Sequence, residues 1–226
     1  MEIYYGTIII VNAKRLRGTS YMKMQDIKTL ITSGTIILAV ALYMIFGRPP
    51  ADEKETSTSD QQGIISITDV EEKTGNERFT VDYIKAYDGD TIQATVDGQK
   101  QKIRLLMVDT PEMHHKEDGK QPYAQDAMDY TVKLMENAKK IEAVYDVGPE
   151  TDKYDRLLAY VFVDDVLLQE SLLNEGLAAV RFIHKPNNTF EDEFREIQQK
   201  AQDEKLNIWS NDKYFQKDGF HPEVLN

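Results

Sequence analysis

A chain of 226 residues with 41% hydrophobic and 29% charged residues has the composition of a folded protein, either one domain with appendages or two small domains. The absence of cysteine excludes disulfides, thiolate metal sites and a cysteine nucleophile. The formal net charge of -12 argues against broad electrostatic binding of nucleic acid, because phosphate binders are usually basic. Any affinity for phosphate must therefore be local, and we expect a bound cation to assist it.

The N-terminal part of the chain contains one long uncharged run. It covers residues 30–46, LITSGTIILAVALYMIF, and a membrane-spanning helix needs about 17 to 25 such residues. Lysines and arginines precede it, which favours a cytoplasmic N-terminus and an external remainder. We predict an uncleaved transmembrane anchor at 30–47 after a cytoplasmic or leader segment, 1–29. A cleaved signal sequence and a buried core helix are the alternatives.

Two further boundaries follow from composition. Residues 48–78 begin with RPPADEKETSTSDQQ and read as a polar linker, with IISITDV (64–70) as a possible short edge strand. The predicted folded domain is 79–210, and 211–226 is a C-terminal tail.

Within residues 79–210 the hydrophobic periodicity predicts strands first and helices later. Five segments read as strands: FTVDYIKAY (79–87), TIQATV (91–96), QKIRLLMV (101–108), KIEAVYDV (140–147) and RLLAYVFV (156–163). Three segments have helical spacing: 123–138, 166–176 and 189–205, the last with Thr189 as a plausible N-cap. The fold class is therefore α+β, compatible with a small closed barrel of five strands and three helices.

The segment IRLLMVDTPE (103–112) raises a chemical question, because an arginine lies within an apolar strand that ends in two acids. Such an arginine is usually exposed or paired with an acid. If neighbouring strands are adjacent, Asp90 in the DGD turn, Asp109 and Glu112 converge with Arg104 at one rim. Crowded carboxylates need a cation. Carboxylates with the Thr110 carbonyl suit Ca²⁺ or Mg²⁺ and not zinc.

A second arginine, Arg156, lies at the start of the strand RLLAYVFV. Two guanidinium groups, a divalent cation and a spare carboxylate are what hydrolysis of a phosphodiester requires. The cation and the arginines stabilise the charge that develops on the phosphate oxygens, and the carboxylate removes a proton from the attacking water. His114 and His115 lack a third soft ligand, and we expect them to be bystanders rather than a zinc site.

Three stretches of the sequence resemble the staphylococcal nuclease (thermonuclease) family. They are YDGDTIQATVDGQKQKIRLLMVDTPE, NAKKIEAVYDVGPETDKYDRLLAY and HKPNNTFEDEFREIQQKAQDEKLNIWS, and the resemblance extends from about Phe79 to Ser210. It implies a five-stranded OB-fold β-barrel with three helices. It also implies calcium-dependent cleavage of DNA and RNA that leaves 3′-phosphates.

The resemblance implies a role for each matching residue. The implied calcium ligands are the side chains of Asp90 and Asp109 and the carbonyl of Thr110. The implied catalytic residues are Glu112, which positions or deprotonates water, and Arg104 and Arg156 at the scissile phosphate. The implied substrate-binding residues are Lys153, Tyr154 and Phe182, and Trp209 is expected in the core.

Several positions depart from the family pattern. Asp155 replaces a glycine before the second arginine, and Phe182 and His184 replace two tyrosines of a base-stacking groove. Stacking needs only a ring face, so it is expected to survive.

We therefore expect a membrane-tethered or secreted, extracytoplasmic, monomeric calcium nuclease acting preferably on single strands of DNA and RNA. The alternatives are a tethered, non-catalytic OB-type module that binds nucleic acid or protein, and a scaffold domain without a site.

Overall fold

The structure is a computed structural model that describes residues 63–225. The predicted segments 1–29 and 30–47 and the first part of the linker, residues 48–62, lie outside the described residues. Within residues 63–225, no helix has the length and apolar character required to cross a membrane.

Within residues 63–225, eleven strands form three sheets. The main sheet runs in the order β1-β6-β7-β4-β3-β2, with β8 paired to β7; β5 pairs with β9, and β10 with β11. Strands β4 and β7 are parallel and every other pair is antiparallel. The strands are β1 Phe79–Thr80, β2 Asp82–Ala86, β3 Thr91–Val96, β4 Gln99–Leu105, β5 Val108–Asp109, β6 Ile141–Tyr145, β7 Leu157–Val163, β8 Val166–Leu167, β9 Ala179–Val180, β10 Phe215–Gln216 and β11 Gly219–Phe220.

In the part of the chain that the structure describes, four α-helices pack on the sheet. They are α1 Ile67–Thr74, α2 Ala124–Asn137, α3 Leu168–Asn174 and α4 Glu191–Asp203, and two 3₁₀ turns span Asn207–Trp209 and Pro222–Leu225. The predicted apolar stripe of the last α-helix is confirmed, since Phe194, Ile197 and Ala201 are buried. The sheet and the helices enclose one main core that includes Ile92, Ile103 and Leu172.

The mixed α+β class is confirmed. The two ends of the main sheet order, β1 and β2, are consecutive segments of the chain separated only by Val81, and they pair with β6 and with β3 respectively. The first predicted strand is divided into β1 and β2, with a register shift between Tyr83 and Lys85. The strand predicted at 101–108 stops at Leu105, because Met107 has a φ of +59° and turns the chain before β5.

The possible strand at 64–70 does not form, since residues 64–66 are irregular and α1 begins at Ile67. Ser66 and Asp69 form a capping box, in which each side chain binds the other's backbone N–H. Ile67 and Val70 lie one turn apart and are both buried. The carboxylate of Glu170 accepts hydrogen bonds from the backbone N–H groups of Ile64 and Ile65, and this contact holds the start of the segment on the domain.

Two further expectations need correction. Thr189 does not cap α4; its hydroxyl and N–H donate to the buried carboxylate of Asp146 instead. The C-terminal tail is not a simple tail, because Tyr214 is fully buried and donates its hydroxyl to the Pro122 carbonyl at 2.6 Å. We call the segment Phe215–Phe220, which contains β10 and β11, the C-terminal hairpin. It packs on the cluster around Trp209, which is buried as predicted.

A cluster of carboxylates and guanidiniums as the candidate active site

The β3–β4 ladder brings the DGD turn to Arg104. Thr91 is the register partner of Arg104, so Asp90 lies directly before the paired residues. The N–H of Leu105 donates to the Asp90 carbonyl at 2.9 Å, which closes this end of the ladder. Two residues that are 14 positions apart in the chain are therefore fixed side by side by sheet register alone.

Arg104 is 8% exposed and uses its guanidinium as a bridge. Its Nη2 lies 3.1 Å from Asp90 Oδ2 and 3.4 Å from Asp109 Oδ1. Its Nη1 donates to the carbonyls of Leu105 and Val108 at 2.8 and 2.6 Å. These bonds keep the planar group in one orientation, and because Arg remains charged when buried it neutralises part of the acid cluster.

Asp109 and Thr110 reach the same place from β5. The pairing of β5 with β9 fixes the backbone of Asp109, which is 4% exposed. The N–H of Thr110 donates to Asp90 Oδ2 at 2.8 Å, so the two predicted metal-binding segments are hydrogen-bonded to each other. Burial and the charge of Asp90 raise the pKa of Asp109 to about 7, against the lowering effect of Arg104 and Arg181.

Glu112 and Asp88 complete the acidic side of the cluster. Gln121 holds the backbone of Glu112 from both sides, through its side-chain oxygen and its own N–H. Burial first, and then Asp90, raise the pKa of the Glu112 carboxyl. Burial and the charges of Asp90 and Glu112 raise the pKa of Asp88 to about 9. The sequence pattern of Asp88 indicated only a turn, yet the structure places it among the acids.

The oxygen atoms of this cluster fit a hard cation. Asp88 Oδ1 and Thr110 Oγ1 are buried and have no hydrogen-bond partner among the described residues. Four carboxyl groups, those of Asp88, Asp90, Asp109 and Glu112, face two guanidiniums, Arg104 and Arg181. A divalent cation would favour the ionised form of these crowded carboxyl groups, and oxygen ligands are those that Ca²⁺ prefers.

The carboxylates do not complete a metal site by themselves. Within residues 63–225, no three His, Asp or Glu side chains are grouped so that they alone would hold a metal ion. A bound cation would therefore also need backbone carbonyl or water ligands, as the predicted use of the Thr110 carbonyl implies.

Arg181 belongs to the cluster, although nothing in the sequence pattern pointed to it. It follows β9, and its Nη1 lies 2.9 Å from Asp109 Oδ2. Asp109 is therefore held between two guanidiniums, with Arg104 on Oδ1 and Arg181 on Oδ2. The two residues are 72 positions apart, so only the β5–β9 pairing could have revealed the contact.

Arg156 lies in a loop beside the cluster and is held by its own neighbour. Its Nε and Nη2 both lie 2.7 Å from Asp152 Oδ2. Among the described residues it has no ion pair with Asp90, Asp109 or Glu112. The parallel register places Leu158 next to Arg104, so the loop that carries Arg156 precedes the strand adjoining the site.

The predicted substrate-binding residues lie on exposed surface. Tyr154 is 66% exposed, with Lys153 Nζ 4.9 Å and Arg156 Cζ 5.5 Å from its ring centroid. The ring of Phe182 is 50% exposed, and its centroid lies 5.5 Å from Arg104 Cζ and 4.8 Å from Arg181 Cζ. Both aromatic side chains are thus accessible at the surface, and each has two cationic groups over its ring.

Asp155 is in the left-handed region with φ +57°. This backbone conformation explains why a glycine suits the position and why Asp, one of the more tolerant residues, can replace it.

The comparisons with known proteins agree with this geometry. The family model described as Staphylococcal nuclease homologue matches residues 102–211. Endonuclease YncB of Bacillus subtilis (strain 168) is 44% identical over 137 residues, which cover 61% of this chain and 64% of that protein. The chain thus spans less than two thirds of this relative.

Two thermonucleases are covered more completely. The thermonuclease of Staphylococcus hyicus is 39% identical over 132 residues, which are 58% of this chain and 76% of that protein. The thermonuclease of Staphylococcus intermedius is 36% identical over 184 residues, which are 79% of this chain and 97% of that protein. With its α+β fold and with relatives matched over most of their length, the chain belongs to the staphylococcal nuclease family.

Proposed function

We propose that this protein is a calcium-dependent nuclease that hydrolyses phosphodiester bonds in DNA and RNA and leaves 3′-phosphates. The observation that carries the proposal is the bridge of Arg104 between Asp90 and Asp109 at 3.1 and 3.4 Å. Relatives named thermonuclease and endonuclease support the reaction class.

The cation would be held by Asp90, Asp109 and the Thr110 carbonyl. When bound, Ca²⁺ supplies positive charge that stabilises the phosphate in the transition state. The partnerless Asp88 Oδ1 and the excess of acids over guanidiniums within residues 63–225 support this assignment. For the proposed external location we expect a calcium dissociation constant of about 0.1–1 mM, the range typical of extracellular modules.

Glu112 is proposed as the residue that orients the attacking water and accepts its proton. Burial raises the pKa of its carboxyl, which makes it a better proton acceptor than an exposed glutamate. Arg104 donates to the charged phosphate oxygens from a fixed orientation. Arg156 adds a second guanidinium, for which it must exchange part of its contact with Asp152.

Single strands are the proposed substrate because stacking requires unpaired bases. The exposed faces of Tyr154 and Phe182 suit base stacking, which contributes about 1–3 kcal/mol per base. We also propose that the main sheet closes into an OB-fold barrel and that the protein is a monomer. The anchor at 30–47 would tether the domain outside the membrane, or its cleavage would release it.

The test is digestion of a labelled single strand by the full chain, with and without Ca²⁺. We expect cleavage to stop on chelation and to resume when Ca²⁺ is restored. Glu112→Gln should reduce turnover by about 10²–10⁴-fold, the usual contribution of a general base. Glu196→Gln, an exposed glutamate on α4, is the matched control and should cleave normally. Treatment of the products with a 3′-phosphatase checks the cleavage polarity, since it removes the terminal phosphate only from products that carry it at the 3′ end.

Undiminished activity in chelator would contradict the calcium assignment, and undiminished activity of Glu112→Gln would contradict the mechanism. The alternative is a non-catalytic binding module. It predicts that the chain binds the strand in Ca²⁺ and leaves it intact.

A further inference from the structure

Arg181 is a charged group that the proposed reaction has not used. Its Nη1 binds Asp109 Oδ2 at 2.9 Å, on the opposite oxygen from the one that Arg104 contacts. Its side chain is 28% exposed, whereas that of Arg104 is 10% exposed. Arg181 is thus the more accessible of the two guanidiniums that hold this carboxylate.

The C-terminal hairpin fixes the position of this guanidinium. Nη2 of Arg181 donates to the carbonyl of Asp218 in the turn of the hairpin. A Cβ on Gly219 would lie 2.7 Å from Arg181 Nη1, and the φ of Gly219 is +131°, which strongly favours glycine. The guanidinium therefore packs against backbone that only a glycine leaves open.

The hairpin itself is firmly attached to the domain. Tyr214 is fully buried and donates to the Pro122 carbonyl, and Phe215 packs edge-on against Trp209 at 5.4 Å between ring centroids. His221 pairs with both Asp218 and Glu223 at 3.0 and 2.9 Å, which ties the turn of the hairpin to the residues after it.

Part of the Arg181 guanidinium remains available for a ligand. Two of its N–H groups bond to Asp109 and Asp218, and within residues 63–225 its Nε–H has no hydrogen-bond partner. Arg presents five donors in a planar fork that matches phosphate oxygens. The exposed ring of Phe182 lies against both Arg181 and Arg104, so a base stacked there would have its backbone beside two guanidiniums.

The charge of the chain makes such a group useful. The formal net charge is -12, and the acids of the cluster repel a polyanion. Arg156, the second predicted phosphate ligand, is already bound by Asp152. An additional cationic contact next to Asp109 offsets this repulsion at the point where the strand must bind.

We propose that Arg181 is a third substrate-binding arginine, which contacts a backbone phosphate of the nucleic acid and is held in place by the C-terminal hairpin. The inference rests on the proposed nuclease function, because it assigns the phosphate contact to that substrate. It makes residues 215–220 part of the wall of the active site.

The salt dependence of binding tests this contact directly. Each phosphate contact on a single strand contributes about 0.7 to the slope of log Kobs against log salt. We would measure the anisotropy of a fluorescent ten-nucleotide single strand over a range of KCl concentrations in Ca²⁺. All proteins would carry Glu112→Gln so that the strand survives. Arg181→Met should reduce the magnitude of the slope by about 0.7, and Arg181→Lys, which keeps the charge, should retain the parent slope.

Arg195→Met is the matched control for the loss of one positive charge. Arg195 is also paired with an acid, Glu191, but it lies on the exposed face of α4. Its removal should leave the slope within error of the parent. Gly219→Ala keeps Arg181 in the sequence and displaces its guanidinium, so its slope should fall as in Arg181→Met.

Steady-state kinetics with Glu112 restored provide the second measurement. Arg181→Met should raise KM about tenfold, the effect expected for one charged hydrogen bond, and change kcat by less than about threefold. A purely structural role would instead lower the melting temperature and leave the salt slope unchanged.

The outcomes separate the two proposals. A Glu112→Gln parent that does not bind the strand, together with a protein carrying Glu112 that does not cleave it, would overturn the proposed nuclease function. A parent that binds, with equal slopes for Arg181→Met and Arg195→Met, would overturn the role of Arg181 alone. A parental slope for Gly219→Ala would overturn the role of the hairpin.

Discussion

Two buried acidic sites in this protein have opposite character. Asp146 is 2% exposed and is surrounded by neutral donors. Its Oδ2 accepts from the Tyr160 hydroxyl at 2.7 Å and the Thr189 N–H at 3.1 Å. Its Oδ1 accepts from the Val147 N–H and the Thr189 hydroxyl. Both carboxylate oxygens are thus fully hydrogen-bonded, and the charge is stabilised without a cation.

Asp90 and Asp109 are equally buried but share their surroundings with other acids. Asp88 and Glu112 lie close enough to influence the pKa values of the cluster, and Asp88 Oδ1 has no partner within residues 63–225. Burial of an acid is therefore not the sign of function in this fold. A candidate functional site is indicated instead by acidic groups that the surrounding protein neutralises only in part, because a bound ligand can then neutralise them.

Among the variants that compare these two acidic sites, the largest effect is expected at Arg104, which bridges Asp90 and Asp109. Arg104→Lys keeps the charge but loses the planar fork that contacts both carboxylates, so kcat should fall by about 10²-fold. Single-turnover cleavage of a labelled single strand measures it. Arg78→Lys is the matched control, since Arg78 forms a comparable forked contact with Glu71 away from the site. Full activity of the Arg104→Lys variant would show that the bridge is structural.

Substitution of Asp146, whose carboxylate is fully hydrogen-bonded, should lower the stability of the protein and leave its activity unchanged. Asp146→Asn places an amide N–H₂ against donors that now lack an acceptor, and we expect a loss of about 2–3 kcal/mol in the free energy of unfolding. Urea denaturation measures this loss, with the exposed Asp203→Asn as a control that should stay within about 0.5 kcal/mol. Activity per folded molecule should not change. A selective loss of activity would place Asp146 in the site.

Calcium should stabilise the protein only by binding at the acidic cluster around Asp90 and Asp109. At a Ca²⁺ concentration about twenty times Kd, binding to the folded state alone adds about 1.8 kcal/mol to the free energy of unfolding. The same urea titrations with Ca²⁺ or with chelator measure it. Asp109→Asn should abolish the increment and Asp146→Asn should keep it. An increment of equal size in both variants would refute the predicted ligand set.

The smallest effect concerns the loop of Arg156. Asp152→Asn keeps the Oδ1 that binds the Tyr154 and Arg156 N–H groups but weakens the ion pair at Oδ2. A partly exposed ion pair contributes about 0.2–1 kcal/mol, so KM should fall by no more than about fivefold as Arg156 becomes free for phosphate. Steady-state cleavage of the same labelled strand measures KM. An increase in KM would mean that Asp152 holds Arg156 in its working position.

Much of this fold could be predicted from periodicity. Strands β3, β6 and β7 and helices α2 and α4 appear close to their predicted bounds, because each has one clear apolar face. Helix α1 was missed because its short mixed segment fits a strand as well as a helix. The decisive signal was local, since Ser66 and Asp69 have the spacing of a capping box.

The candidate site could be predicted only where its residues are close in sequence or match the family motif. Asp90, Arg104 and Asp109 fall into that group. Asp88 looked like an ordinary turn residue, and its crowding depends on how α2 and the Glu112 loop pack around it. Arg181 meets Asp109 across 72 residues, through the short β5–β9 ladder, and no local pattern encodes that pairing.

The C-terminal hairpin has a practical consequence for work on relatives. The family match ends at residue 211, so a recombinant version trimmed to that limit would lack Tyr214, Asp218 and Gly219. Arg181 would then keep its place in the sequence and lose the carbonyl that restrains it. Kinetic constants from such a trimmed protein would describe the truncation as much as the chemistry, so residues 212–225 belong in every comparison across species.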